Sequence, residues 1–356
     1  MVEVTQKRRA VESPSQSWTN RLDFTRIPIH VWVIAVVLLL VPTFTSDFTQ
    51  HQIFGWAFIL GMISLSLMIL AGYGGMVSLV QMTAAAAAGY ATAIFGVGAV
   101  TEISFAWPWV ITVVLAIIIS VLVCVISGAL AIRTEGIYTI MITLAIGSAF
   151  FYFTRQNYTV FNGFTGFNGV PTPILFGVHW KEPTPFYYLT LCIAALCYWF
   201  TLHLARTPFG LALQGVRDNP RRMAAMGYNV NAHRLAAYAI AGIISGIAGV
   251  LLVWSTGQIS PNTGSIGPII DILVITVIGG INRPIGPFIG ALIYVVLRTY
   301  SLDFLNAVGL DGERFKLVIG LTFLVIVYFS PDGMCGIWDR YLKRLWKPVQ
   351  LEDHNG

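Results

Sequence analysis

Residues 216–252 read VRDNPRRMAAMGYNVNAHRLAAYAIAGIISGIAGVLL, a basic polar stretch that runs straight into an apolar one. No charged residue follows Arg234 until Asp271. Residues 235–256 therefore meet the requirement of about twenty apolar residues for a helix that crosses a bilayer. On the polar side, Asp218 or Asn219 suits a helix cap and Pro220 the first helical position, where no N–H bond is lost. Gly227 suits the left-handed residue that closes a helix. About two turns, roughly 10 Å at 1.5 Å per residue, lie between. A helix that short is marginal alone in water and needs something to pack against. It is either a connector lying on its own bundle or a coupling helix docked into a groove on another protein. The spacing leaves both open.

The rest of the chain carries the apolar theme outward. Of 356 residues, 56% are hydrophobic and 10% charged, with mean hydropathy +0.75. Soluble domains hold about 25% charged residues, and a water-soluble fold of this size could not coat itself with so few. In hydrocarbon a helix satisfies its backbone internally and needs no polar coat. Apolar runs at 29–44, 54–71, 76–100, 107–131, 136–154, 186–204, 235–256, 268–281, 285–302 and 315–330 predict an all-α, polytopic transmembrane bundle of ten spans over 29–330. Polar tails at 1–28 and 331–356 flank it, and the first is too long and polar to be the front of a cleavable signal peptide. With both termini in the cytoplasm, 16 of the 21 Lys and Arg fall inside, as the positive-inside rule requires. The remaining five are Arg155, Lys181, Arg298, Arg314 and Lys316. Two loops are long: an outer one at 155–185, with Gly163, Gly166, Gly169, Pro171 and Pro173, and the basic inner one at 205–234. The net charge of +5 is spread between apolar runs, so nucleic acid is not an expected partner.

Asp271 is the one carboxylate well inside an apolar run. Such a group costs roughly 2.5–3.5 kcal/mol at a helix centre, so it faces the bundle interior, water or a donor. It reads as a pathway residue or as a structural anchor near the outer end of its helix. Glycine breaks fall at GYGG (Gly72, Gly74, Gly75) and at 257–268, GQISPNTGSIGP. Each follows the second span of a five-span half, on opposite sides of the membrane, a pattern that points to a substrate path between inverted halves or to ordinary loops. The polar residues beside them are Ser78, Gln81, Ser255, Gln258 and Asn262. Gly242, Ser245, Gly246 and Gly249 form one small-residue stripe, Gly286 and Gly290 another, and such faces let helices approach closely. The six His and four Cys show no ligand spacing, so neither a metal nor a cofactor is expected. The chain has no GxxxxGK[ST] phosphate cradle.

Taken together, 216–252, GYGGMVSL at 72–79, IRTEGIYTIMITLAIG at 132–147 and DILVITVIGGINRPIGPFIGA at 271–291, with Gly279, Gly280, Gly286 and Gly290, resemble the LivM permease family. These are membrane subunits of ABC importers for branched-chain amino acids. The likeness covers about 55–330. It departs at Ile132, where leucine is usual, at Val80 and Gln81, where Gly-His is usual, at Asn282 and at Ala224. The resemblance implies a ten-helix fold like that of type II importers in the bacterial inner membrane. It also implies ATP hydrolysis on two ABC ATPase partners, a second, LivH-type permease chain and an extracytoplasmic substrate-binding protein. It assigns ATPase coupling to Arg217, Asp218, Asn219, Pro220, Arg221, Arg222, Met223, Ala224, Ala225, Met226 and Gly227. Relatives for urea, amides or other amino acids are the alternative. A self-sufficient secondary transporter or channel would carry more intramembrane ionisable groups, and a membrane enzyme would need clustered His, Asp or Cys.

Overall fold

The computed structural model describes residues 38–97, 104–134, 136–175 and 178–307, and beyond these 320, 321, 323, 324, 328 and 333–336. Residues 38–44 are helical and belong to a small unit of their own. The larger unit opens with α1 (Thr49–Tyr73), whose middle, Trp56–Met68, is α-helical and whose two ends are wound as π-helix. It continues through α2 (Gln81–Phe95), α3 (Trp109–Ala131), α4 (Ile137–Gln156) and the one-turn α5 (Tyr158–Phe161). After α6 (Pro183–Arg206) come α7 (Pro208–Asp218), α8 (Pro220–Ala225), α9 (Val230–Thr256), α10 (Ile266–Gly279) and α11 (Gly286–Ala307). Four two-residue strands make two small ladders: β1 (Phe167–Asn168) with β4 (Gln258–Ile259), and β2 (Ile174–Leu175) with β3 (Val178–His179).

The helices sort into an inner and an outer set. The apolar stretch of α1 is 89% buried and that of α9 72%, against 22–28% for α3, α4 and α6. The outer helices are inside-out relative to a soluble protein. Val110, Val114, Ile118, Leu122, Ile126 and Leu130, four residues apart on α3, are all exposed. The opposite face buries Thr112, Ala116, Ser120, Cys124, Gly128 and Ala131. Large apolar side chains outside and small or hydroxylated ones inside suit lipid as the solvent, where packing and interhelical hydrogen bonds hold helices together. Accordingly the Ser120 hydroxyl donates to the Gly242 carbonyl across the α3–α9 contact at 2.9 Å, and Gly242 and Gly246 lie against Val121 and Ser120. Gly279, Gly286 and Gly290 bring the backbones of α10 and α11 together, and Gly280 caps α10.

Eight of the ten expected spans have a helix here. The first and tenth, at 29–44 and 315–330, fall largely outside the described residues. The third, expected over 76–100, is corrected: the chain is non-helical up to Val80 and helix begins only at Gln81. At 15 residues α2 is about 22 Å long, short of a bilayer, and Gln81–Ile94 is buried throughout. That is where a short helix is tolerated. The packing repeats between halves. Helix α1 lies on α11 much as α9 lies on α3, and α2 packs on α3 as α10 packs on α11.

Candidate functional site

Both glycine breaks exist, and in each the freed backbone groups find partners from distant segments. At the first, residues 74–80, the Met76 N–H returns to the Leu70 carbonyl at 2.9 Å, and the Leu79 N–H donates to Thr143 Oγ1 of α4 at 3.0 Å. The Gly72 carbonyl accepts from the guanidinium of Arg217, at the end of α7. Gly75 sits at φ +66° with the Arg217 stem over it, so that a Cβ would lie 2.7 Å from Arg217 Cγ. Glycine is the residue that tolerates both that φ and that approach. At the second break, β4 is held by β1 of the 157–182 loop, with Phe167 opposite Ile259 and Asn168 opposite Gln258. The Val170 N–H donates to the Gly257 carbonyl at 2.9 Å. Each long loop thus grips one discontinuity, at opposite ends of the bundle.

The basic segment is two capped helices. Thr207 caps α7, its hydroxyl accepting from the Gly210 N–H at 3.2 Å, with Pro208 at the first position. The sequence predicts a polar loop here; the structure has a helix instead, for which Thr207-Pro208 is a start signal. Leu213 and Val216 of α7 are buried. Asn219 Oδ1 then accepts from the Arg222 N–H at 2.9 Å to cap α8, and Gly227 follows at φ +89°. Both ends match the sequence expectation. Met223 is buried against Gly215 and Val216, which fixes α8 on α7. Around it Arg221, Arg222, Ala224, Ala225, Met226 and Gly227 are exposed. Arg217 differs from the other two arginines, turning back to Gly72 while its Nε pairs with Asp218 at 2.9 Å.

Losing the Asn219 cap is expected to loosen α8 by about 1 kcal/mol. Opening costs convert directly into protease access when closing is fast. Asn219→Ala is therefore expected to raise the rate of trypsin cleavage after Arg221 or Arg222 about fivefold, measured on purified protein under native conditions.

At the other end of the bundle lies a cavity of 460 Å³, walled by α1, α2, α9, α10, α11 and the second break. Of the expected path residues, Gln258, Asn262 and Asp271 line it, while Ser78 and Gln81 do not. Ser78 and Gln81 are buried at the first break instead, and neither end of the Gln81 amide has a hydrogen-bond partner among the described residues. Ser255, also considered, is not on the cavity wall but meets His51 at 3.4 Å. Sequence reasoning missed Tyr294 and Arg298 as cavity residues. Tyr294 and Arg298, one turn apart on α11, line the same cavity as Asp271 of α10.

A lipid-facing bundle with a cavity of mixed polar and apolar lining at one end, a capped basic helix at the other and interrupted helices between them has the build of a membrane permease subunit. The family model described as "Branched-chain amino acid transport system / permease component" matches residues 50–327, and the chain belongs to that family. It is 28% identical over 237 residues to the "Probable branched-chain amino acid transport permease protein LivM" of Methanocaldococcus jannaschii, covering 62% of this chain and 67% of that one. To the high-affinity LivM of Salmonella typhimurium it is 23% identical over 230 residues, 58% of this chain and 52% of the relative. A LivH permease of M. jannaschii matches at 29% over 217 residues, 59% of this chain and 61% of the relative. The chain thus spans between half and two thirds of the length of these relatives. No solved structure was found to match it.

Proposed function

We propose that the chain is the membrane-spanning subunit of an ATP-driven importer for branched-chain amino acids, with ten spans and both termini in the cytoplasm. Hydrolysis belongs to two ABC ATPase subunits, one of which docks on α7 and α8. A second, LivH-type permease chain completes the pathway, and an extracytoplasmic binding protein delivers solute to the end that carries the 157–182 loop and the cavity. One observation carries this reading: a capped, basic helix stands exposed on one end of the bundle while its neighbour α7 reaches an interrupted membrane helix through Arg217. That is the arrangement needed to pass a partner's motion into a gate. The existence of relatives named for both LivM and LivH supports the pairing of unlike permease chains.

Charge reversal at the exposed arginines tests it. Truncating one partner of a buried interfacial charge pair costs 2–5 kcal/mol, and reversal adds repulsion. Arg221→Glu with Arg222→Glu is expected to weaken retention of the ATPase subunits about thirtyfold or more and to remove ATP-driven uptake, with membrane insertion unchanged. Undiminished ATP-driven uptake by the double variant would overturn the docking assignment. Uphill accumulation by vesicles holding this chain alone would overturn the importer reading itself.

A further inference from the structure

Helix α6 turns one exposed stripe outward: Tyr188, Cys192, Leu196, Trp199, His203 and Arg206, spaced three or four residues apart. At 1.5 Å per residue the stripe is about 27 Å long, close to the roughly 30 Å of a hydrocarbon core. Its middle is apolar, with Leu196 60% and Trp199 59% exposed. The last two turns change character. The His203 ring stacks on Trp199, centroids 5.8 Å apart and planes 15° from parallel, and Arg206 follows one turn on. Among the described residues neither His203 nor Arg206 has an ion pair or a side-chain hydrogen bond. An indole settles at a membrane interface on its own, and a helix C-terminus favours a cation on its own. Neither effect requires that a stacked imidazole join the two into one surface of ring, N–H and guanidinium. Exposed Arg133, at the end of α3, is the contrast: its stripe runs through Leu122, Ile126 and Leu130 and holds no ring.

We propose that Trp199, His203 and Arg206 bind the headgroup of one acidic phospholipid. Arg206 takes the phosphate, for which a guanidinium offers paired donors. The His203 imidazole donates its N–H to the same group. The Trp199 ring lies along the upper acyl chains, with its indole N–H toward the ester carbonyls, the placement an amphipathic ring takes. A phosphatidylcholine has the same phosphate, but its choline cation meets Arg206, so the site disfavours it as well as attracting the acidic lipid. The seat adjoins the joint between α6 and α7. Thr207 caps α7 directly after Arg206, and Gln214 Nε2 of α7 donates to the Ala205 carbonyl at 3.1 Å. A lipid held there steadies the joint from the membrane side. Binding does not depend on the importer reading, from which only the cytoplasmic leaflet is taken.

The test uses the full-length chain in phosphatidylcholine nanodiscs, into which phosphatidylglycerol or phosphatidylcholine brominated at the same acyl position is titrated. The chain has ten tryptophans, so the Trp199 signal is read as the difference between the parent and Trp199→Phe. Brominated phosphatidylglycerol is expected to quench half of that signal at a mole fraction at least about tenfold below that of brominated phosphatidylcholine, the size of one charge-assisted hydrogen bond. Arg206→Gln is expected to bring the two lipids level while quenching by phosphatidylcholine stays as in the parent, a pattern that misfolding, which alters both, does not give. Arg206→Lys is expected to keep part of the preference, since an ammonium still presents a point charge to phosphate. Arg133→Gln, which removes the same charge from α3, is expected to leave it unmoved. Equal quenching of the parent by both lipids would reduce Arg206 to a last-turn cation and overturn the site. So would no quenching by either lipid, or a preference that survives Arg206→Gln. Release of phosphatidylglycerol by millimolar inorganic phosphate would make this a small-anion site and overturn the lipid assignment.

Discussion

A single methyl group at Gly249 is expected to lower the folded-to-unfolded ratio of the protein more than a hundredfold. Helices α2 and α9 cross so closely there that the added Cβ would collide with the Ala85 carbonyl, with the Ala85 Cα 2.8 Å away. These are backbone atoms, and no rotamer change can clear them. Both helices are buried at this level, with Ala84–Ala88 and Val250–Val253 all in the core. Overpacking costs about 1–3 kcal/mol and more where the neighbour cannot yield. About 3 kcal/mol, a factor of more than a hundred in the folded ratio, is the expected penalty for Gly249→Ala. Monodisperse yield after detergent extraction measures it. Gly267→Ala is the control, because nothing lies within 4 Å of its added Cβ, and it is expected to match the parent. The crossing also has a functional consequence. Two positions farther on, Val253 and Ile259 close over Gly89, so the α2–α9 contact holds the second break and the Met82 and Leu252 side of the cavity in place. A Gly249→Ala protein with parent-like yield would mean that the two helices cross farther apart.

What the amino-acid order revealed depended on how far apart the interacting residues lie in the chain. The long apolar runs predicted α3, α4, α6 and α9 because a lipid-facing helix must be apolar along its whole length. The caps of α8 were legible because Asn219, Pro220 and Gly227 act on immediate neighbours. The non-helical piece at 74–80 was not. Met76, Val77, Leu79 and Val80 are as apolar as any helix, and the partners that hold them out of one, Thr143 and Arg217, lie 64 residues from Leu79 and 145 from Gly72. Asp271 announced itself as a carboxylate in an apolar run, but its companions Tyr294 and Arg298 come from the next helix. Arg298 read only as one of five positive residues on the outer side. Gln258 and Asn262 reach the cavity because the break beside them is real. Ser78 and Gln81 belong to the other break, which the fold places away from this cavity.

Replacing Arg217 is expected to have an effect opposite in kind to replacing Arg221 and Arg222. The latter pair stand exposed on α8, where a partner would be held. The guanidinium of Arg217 instead ends on the carbonyl of Gly72, in the π-wound last turn of α1, where the helical ladder is already interrupted. A carbonyl freed from its ladder and closed off from water costs about 1–3 kcal/mol if left without a donor, so α7 and this turn are expected to move together. Arg217→Ala should therefore leave the ATPase subunits bound and hydrolysing while uptake per ATP falls about tenfold or more. Arg217→Lys should recover only part of it, since an ammonium lacks the planar fork. Gly75→Ala approaches the same contact from the other side. It forces a left-handed φ of +66° on alanine, at about 1–2 kcal/mol, and puts a Cβ 2.7 Å from Arg217 Cγ. If both changes break one contact, the double variant should lose no more coupling than the stronger single one, which is the signature of interacting residues in a double-mutant cycle. Additive losses, or an unchanged uptake-to-hydrolysis ratio in Arg217→Ala, would move the route of coupling to the buried Leu213 and Val216 face of α7.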